Sequence, residues 1–169
     1  DMLMRQHRLP GTWLVWKQSY AAELDTVLDK RCREVFGEEY ARVVKEEKIV
    51  KLRMNPEPKK DGRAKMRLLV KGFMEPKEWD TIKDSPTALA STVKTLVAMG
   101  MLPDDAACDD VISIGDISTA FLFAKEYGPD DKPRYVGYKA HKHAPLRIFQ
   151  LLGPLYGQRD ANHRWWETL

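Results

Sequence analysis

Apolar positions recur at helical spacing early in the chain, switch to strict alternation near residue 48, and return to helical spacing after residue 86. Residues 1–19 show no clear period and read as irregular. Over residues 20–35, Ala21, Leu24, Val27, Leu28 and Val35 fall near a 3.6-residue repeat, with Glu23, Asp25, Asp29, Lys30, Arg31 and Arg33 between them. This predicts an amphipathic helix that stops near Gly37, with a further turn or two over residues 38–46. From Lys48, Val50, Leu52 and Met54 alternate with Lys51 and Arg53, the pattern of a half-buried strand. Residues 55–62, Asn-Pro-Glu-Pro-Lys-Lys-Asp-Gly, read as a loop, because prolines cannot continue a ladder and Asp61-Gly62 suits a tight turn. Alternation then resumes, with Ala64, Met66, Leu68 and Val70 on one face and Arg63, Lys65, Arg67, Leu69 and Lys71 on the other. The two runs predict a β-hairpin with one strongly basic face.

Ser85 can cap a helix and Pro86 suits its first position, so Leu89, Val93, Leu96 and Val97 predict a helix over residues 86–99, ended by Gly100 and Pro103. Asp104, Asp105, Asp109 and Asp110 read as a solvated loop. Residues 111–117 form a short β-branched apolar run, the pattern of a strand buried on both faces, with Asp116 at its end. A short helix follows it. Residues 134–138 and 147–151 read as strands and 161–169 as the start of a helix. The fold class is therefore α/β (α+β).

At 169 residues and 43% hydrophobic composition the chain can bury one ordinary core. Its 28 basic and 25 acidic residues leave a formal charge of +3, too small to announce a nucleic-acid binder, so charge placement must carry any such case. Cys32 and Cys108 lie far apart with no Cys or His at metal-ligand spacing, which indicates neither a disulfide framework nor a zinc knuckle. No apolar run approaches the roughly 18–20 residues that span a bilayer, and the opening lacks a secretory apolar core, so an intracellular location is expected. Asp1 at the start and a helical run reaching Leu169 give both ends the look of a cut.

Asp116 supports two readings. A carboxylate at the end of a buried strand stands where α/β folds bind ligands, and aspartate is also a favoured helix N-cap. The basic hairpin face likewise reads either as a phosphate-binding surface, since crowded like charges are relieved by an anion, or as a lysine-protected strand edge. His141 and His143 form a His-x-His pair without a third ligand nearby in sequence. Trp165 and Trp166 read as core.

Four segments then occur in order: RLLVKGF at 67–73, DSPTALASTVKTLVA at 84–98, GDISTAFLFAKEY at 115–127 and LLGPLYGQRDANHRWW at 151–166. Together they resemble the reverse transcriptase of copia-type LTR retrotransposons, over roughly residues 48–169. The resemblance implies the fingers and partial palm of a right-hand polymerase, cut before its second catalytic aspartate motif. Residues 1–47 would precede that domain, which would comprise a fingers hairpin (48–73), a helix (86–99), a palm strand (111–117) and the LYG region (151–169). It implies that Asp116 is a catalytic residue and a Mg2+ ligand, one of three carboxylates that hold two ions for nucleotidyl transfer from a dNTP to a primer. The other two belong to a Tyr-x-Asp-Asp run, which does not occur in these residues. Phe121 matches the family's sugar gate. Lys65, Arg67 and Lys71 would touch the phosphates of the nucleotide, arginine suiting bidentate contacts, while Lys51 and Arg53 would meet nucleic acid.

Partners implied are an RNA/DNA template-primer and the remaining palm, thumb, RNase H and integrase parts of a polyprotein, in a cytoplasmic particle or the nucleus. Where the family has Gln, Pro and Arg near the templating base, this chain has Asp160, Asn162 and His163. A carboxylate there is expected to repel phosphates.

Overall fold

A computed structural model describes residues 13–79, 90–99 and 120–169. The elements are α1 (Trp13–Arg31), β1 (Cys32–Glu34), α2 (Gly37–Glu46), β2 (Ile49–Pro58), β3 (Ala64–Val70), α3 (Ala90–Met99), β4 (Tyr135–Tyr138), β5 (Arg147–Leu151) and α4 (Ala161–Trp166), with single 3-10 turns at Gly72–Met74, Lys77–Trp79 and Ala120–Phe123. The strands form a five-stranded mixed sheet in the order β1-β5-β4-β2-β3. Among the described strands only β2 and β4 run parallel. The class is mixed α and β, as the alternating and helical patterns indicate.

The middle of the sheet, at β4 and β5, is covered on both faces. Val136 and Phe149 join Val27 and Leu28 of α1, together with Val50, Leu52, Leu68 and Val70 of the hairpin, in the larger core. Tyr135 and Ile148, one residue out of phase, pack with Val35 and Val43 on the α2 side. The period of two thus divides β4 and β5 between two apolar layers.

Residues 13–19 are helical rather than irregular. Trp16 is fully buried, and the stripe Trp16, Tyr20, Leu24, Val27, Leu28 and Arg31 continues at three- and four-residue steps, so one face runs the length of α1. The helix also ends earlier than the pattern predicts. Cys32, Arg33 and Glu34 leave it to pair with Leu151, Gln150 and Phe149. Arg147 fixes this junction from across the sheet, with Nε and Nη2 at 2.7 and 2.6 Å from the Glu34 carboxylate.

The hairpin forms where it is expected, but its turn is shorter. Pro56 and Pro58 lie within β2, opposite Met66 and Ala64. Lys59 N–H donates to Arg63 at 2.9 Å, so alternate residues 57 and 55 also face β3, and both prolines face away. On that side β4 pairs β2 only at Ile49–Lys51, so no ladder bond is lost at either proline.

The strands over residues 134–138 and 147–151 and the helices over 38–46 and 161–169 agree within a few residues with β4, β5, α2 and α4. Trp166 is 48% exposed, not core. Asp116, the strand over 111–117 and the helix start at Ser85 and Pro86 lie outside the described residues.

Candidate functional site

The register of the hairpin fixes which charges share a face. Leu52 opposes Val70, Arg53 opposes Leu69, Asn55 opposes Arg67 and Glu57 opposes Lys65. Opposed residues project to the same side, so Arg53, Glu57, Lys65 and Arg67 stand together. Lys51 and Lys71 continue that row, joined by the Lys71 N–H bond to the Lys51 carbonyl at 3.1 Å. Lys51, Arg53 and Lys65 are exposed, and among the described residues none of the three makes an ion pair. Sequence reading misses Glu57, which sits among these cations with its Oε2 2.9 Å from Arg67 Nε and its Oε1 3.2 Å from Lys59 Nζ. Lys59, and then Arg67, hold the Glu57 carboxyl below the usual carboxylate range.

Arg67 is backed by an aromatic ring. Its guanidinium carbon lies 5.3 Å from the centre of the Tyr156 ring, in cation–π range. The Phe121 ring meets the same tyrosine edge-on at 5.2 Å and 81°. Arg67, Tyr156 and Phe121 come from three separate segments and converge on one spot. Tyr156 is half-buried, and burial pushes its hydroxyl pKa up.

Backbone contacts hold these segments in place. Gly157 has φ 87°, a conformation that favours glycine. A Cβ there would collide with the Val70 carbonyl, and one on Gly72 would collide with the Gly157 carbonyl. The hairpin end and the LYG turn therefore touch backbone to backbone. The Val70 N–H bond to the Tyr156 carbonyl at 2.8 Å closes the junction. Glu75 and Arg159 brace it from the far side, with Arg159 N–H and Nε each 3.2 Å from Glu75 Oε2.

Phe121 is positioned by a residue that the sequence pattern does not single out. Arg31, buried at the end of α1, donates from Nε to the Leu122 carbonyl at 2.6 Å and from Nη2 to the Leu122 and Ala124 carbonyls. These bonds satisfy the C-terminal carbonyls of the turn that carries Phe121.

Asp160 departs from expectation. It is 1% exposed and faces two arginines, with Oδ2 2.8 Å from Arg134 Nη1 and 3.1 Å from Arg164 Nε. Both guanidinium groups stack on Tyr127, at 4.3 and 4.5 Å from the ring centre. Arg164 also reaches Asp131 at 2.6 Å. The carboxylate is an internal counter-ion, neutralised and withdrawn from solvent, so it does not stand against a phosphate at the surface.

Among the described residues, no group of three or more His, Cys, Asp or Glu is arranged to hold a metal ion, and no helix is long and apolar enough to cross a membrane. His141 and His143 are exposed. The described residues present a row of exposed cations beside an aromatic pair. Comparison with protein-family models, curated proteins and solved structures finds no match to this chain.

Proposed function

We propose that this chain is the fingers and partial palm of a copia-type RNA-directed DNA polymerase, and that its basic hairpin face meets the phosphates of a nucleotide and a template-primer. The observation that carries the reading is the convergence of Arg67, Tyr156 and Phe121. Described residues of three segments that bear the resemblance, within 67–73, 120–127 and 151–166, meet in space at this cluster. Arg67 and Lys65 would supply phosphate contacts, and Phe121, packed against the Tyr156 ring that backs Arg67, would act as the sugar gate. Lys51 and Arg53 extend the positive row along the hairpin.

Magnesium, through Asp116 and two carboxylates from elsewhere, would stabilise charge on the attacking and leaving oxygens in the whole enzyme. The described residues do not supply that donor set, and binding is the step they support. No Mg2+-dependent primer extension is expected from these 169 residues alone. Measurable extension that is lost in Asp116→Ala would overturn that expectation.

Fluorescence anisotropy with an RNA/DNA template-primer tests the binding face. Affinity should fall steeply between about 50 and 200 mM salt, because each phosphate contact releases counterions. Lys65→Ala and Arg67→Ala should each lower the salt slope by about one unit. Binding that ignores salt, or that survives both substitutions unchanged, would sink the reading. A second reading, a non-catalytic nucleic-acid-binding piece or degenerate retroelement remnant, is favoured by the exposed cations Lys51, Arg53 and Lys65, which have no ion pair among the described residues and need no catalytic metal to bind phosphate. Both readings share the salt dependence. Restoration of activity on adding the remaining palm separates them.

A further inference from the structure

Glu57 stands out on the basic face, because an acid there opposes the phosphate binding proposed above. Its two oxygens are held by different cations, Oε2 by Arg67 Nε at 2.9 Å and Oε1 by Lys59 Nζ at 3.2 Å. Lys65 stands directly across the ladder from it. Two cations thus hold the carboxylate and a third stands opposite it on the ladder, and its side chain is 39% exposed, with Lys59 at 34% and Arg67 at 31%.

Arg67 makes its ion pair through Nε. Among the described residues its two Nη groups have no acceptor, while its guanidinium face rests on the Tyr156 ring. A guanidinium fork that donates to a carboxylate on one edge can donate to phosphate oxygens from the other.

We infer that the Glu57 carboxylate marks, and in the free chain occupies, an anion seat built from Lys59, Lys65 and Arg67, which takes a phosphate group of a polyphosphate ligand once Glu57 swings aside. This rests on the phosphate-binding reading and adds two elements to it. Lys59, at the hairpin turn, becomes a binding residue. Glu57 becomes an intramolecular competitor that weakens phosphate affinity until an anion displaces it. The displacement is open to it, because a partly exposed ion pair is weak and its carboxylate can exchange into water.

Isothermal titration of the full chain with inorganic tripolyphosphate at low ionic strength tests this. Wild type, Glu57→Gln, Glu57→Ala, Lys59→Gln and Arg67→Ala are compared after far-UV circular dichroism confirms the fold of each. Removing the competitor in either Glu57 variant should tighten binding by about threefold or more, the scale of one exposed ion pair. Lys59→Gln should weaken binding and Arg67→Ala should remove most of it. Unchanged or weaker binding in the Glu57 variants, beside Arg67-dependent binding by the wild type, overturns this inference and leaves the phosphate-binding reading intact. Absence of tripolyphosphate binding in every form overturns both.

Discussion

Replacing Asp160 by asparagine removes one negative charge from the interior and little else, because the side chain keeps its shape and one carbonyl oxygen. The loss falls on Arg134, which is 3% exposed and has Asp160 as its carboxylate partner at 2.8 Å. Breaking a buried pair from one side costs about 3–5 kcal/mol, since the remaining ion keeps its desolvation penalty. Here the cost belongs at the low end. Arg134 still donates to the Tyr127 hydroxyl at 3.0 Å and lies over the Tyr127 and Trp79 rings, and Arg164 keeps Asp131 at 2.6 Å.

A loss of about 3 kcal/mol is a large part of the 5–15 kcal/mol that holds an ordinary domain folded. At about 2–4 °C per kcal/mol for a chain of this size, the Tm should fall by roughly 6–12 °C. Urea unfolding followed by the fluorescence of the five tryptophans measures it. The loss should persist at high salt, because buried charges are poorly screened. The double variant Arg134→Met/Asp160→Leu should be less damaged than Asp160→Asn, since it removes both ions together. A loss under about 1 kcal/mol, or one that vanishes in salt, would refute the role of Asp160 as a buried counter-ion.

Gly157→Ala should destabilise the chain by more than about 2 kcal/mol in the same assay, combining the cost of a left-handed alanine with a collision against Val70. Burial pushes the Cys32 thiol up to about 12. In a Cys108→Ser background it should therefore resist Ellman's reagent at pH 8 until urea unfolds the chain, and rapid native labelling would contradict its burial. Between the ordinary thiol value and about 12 the folded chain retains a proton that the unfolded chain has released. Stability from this group is thus present below that window and lost as pH rises through it, which pH-dependent unfolding would detect.

The hairpin is legible in the sequence because alternation is a local signal, and Val50, Leu52, Met66, Leu68 and Val70 are all buried as it predicts. β1 is not legible. Cys32-Arg33-Glu34 is too short to show a period, and its extended form depends on partners such as Gln150, 117 positions away. The prolines of β2 mislead because the rule against them in a ladder holds only for N–H groups that face a paired strand. In the site, Lys65, Arg67 and Phe121 are reached through motif and pattern. Tyr156 lies inside the quoted LYG run, yet its partnership with Arg67 and Phe121 exists only in space. Glu57 is hidden by its prolines, which make it read as part of a loop, and Arg31 by its charge, which makes it read as solvent-facing.

β3 is an edge strand, and three of its four outward N–H groups are taken: Met66 donates to Ser19 Oγ at 2.9 Å, Leu68 to Glu23 Oε1 at 2.9 Å, and Val70 to the Tyr156 carbonyl. Two of the three acceptors sit on α1, which leaves the ribosome before the strand they cover. The strand therefore emerges with its cover already made, and another chain looking for a free edge on the nascent protein meets a helix instead. The third acceptor arrives last, with the LYG turn. The same turn that covers Val70 brings Tyr156 to Arg67, so the last protection of this edge and the candidate cluster depend on one contact.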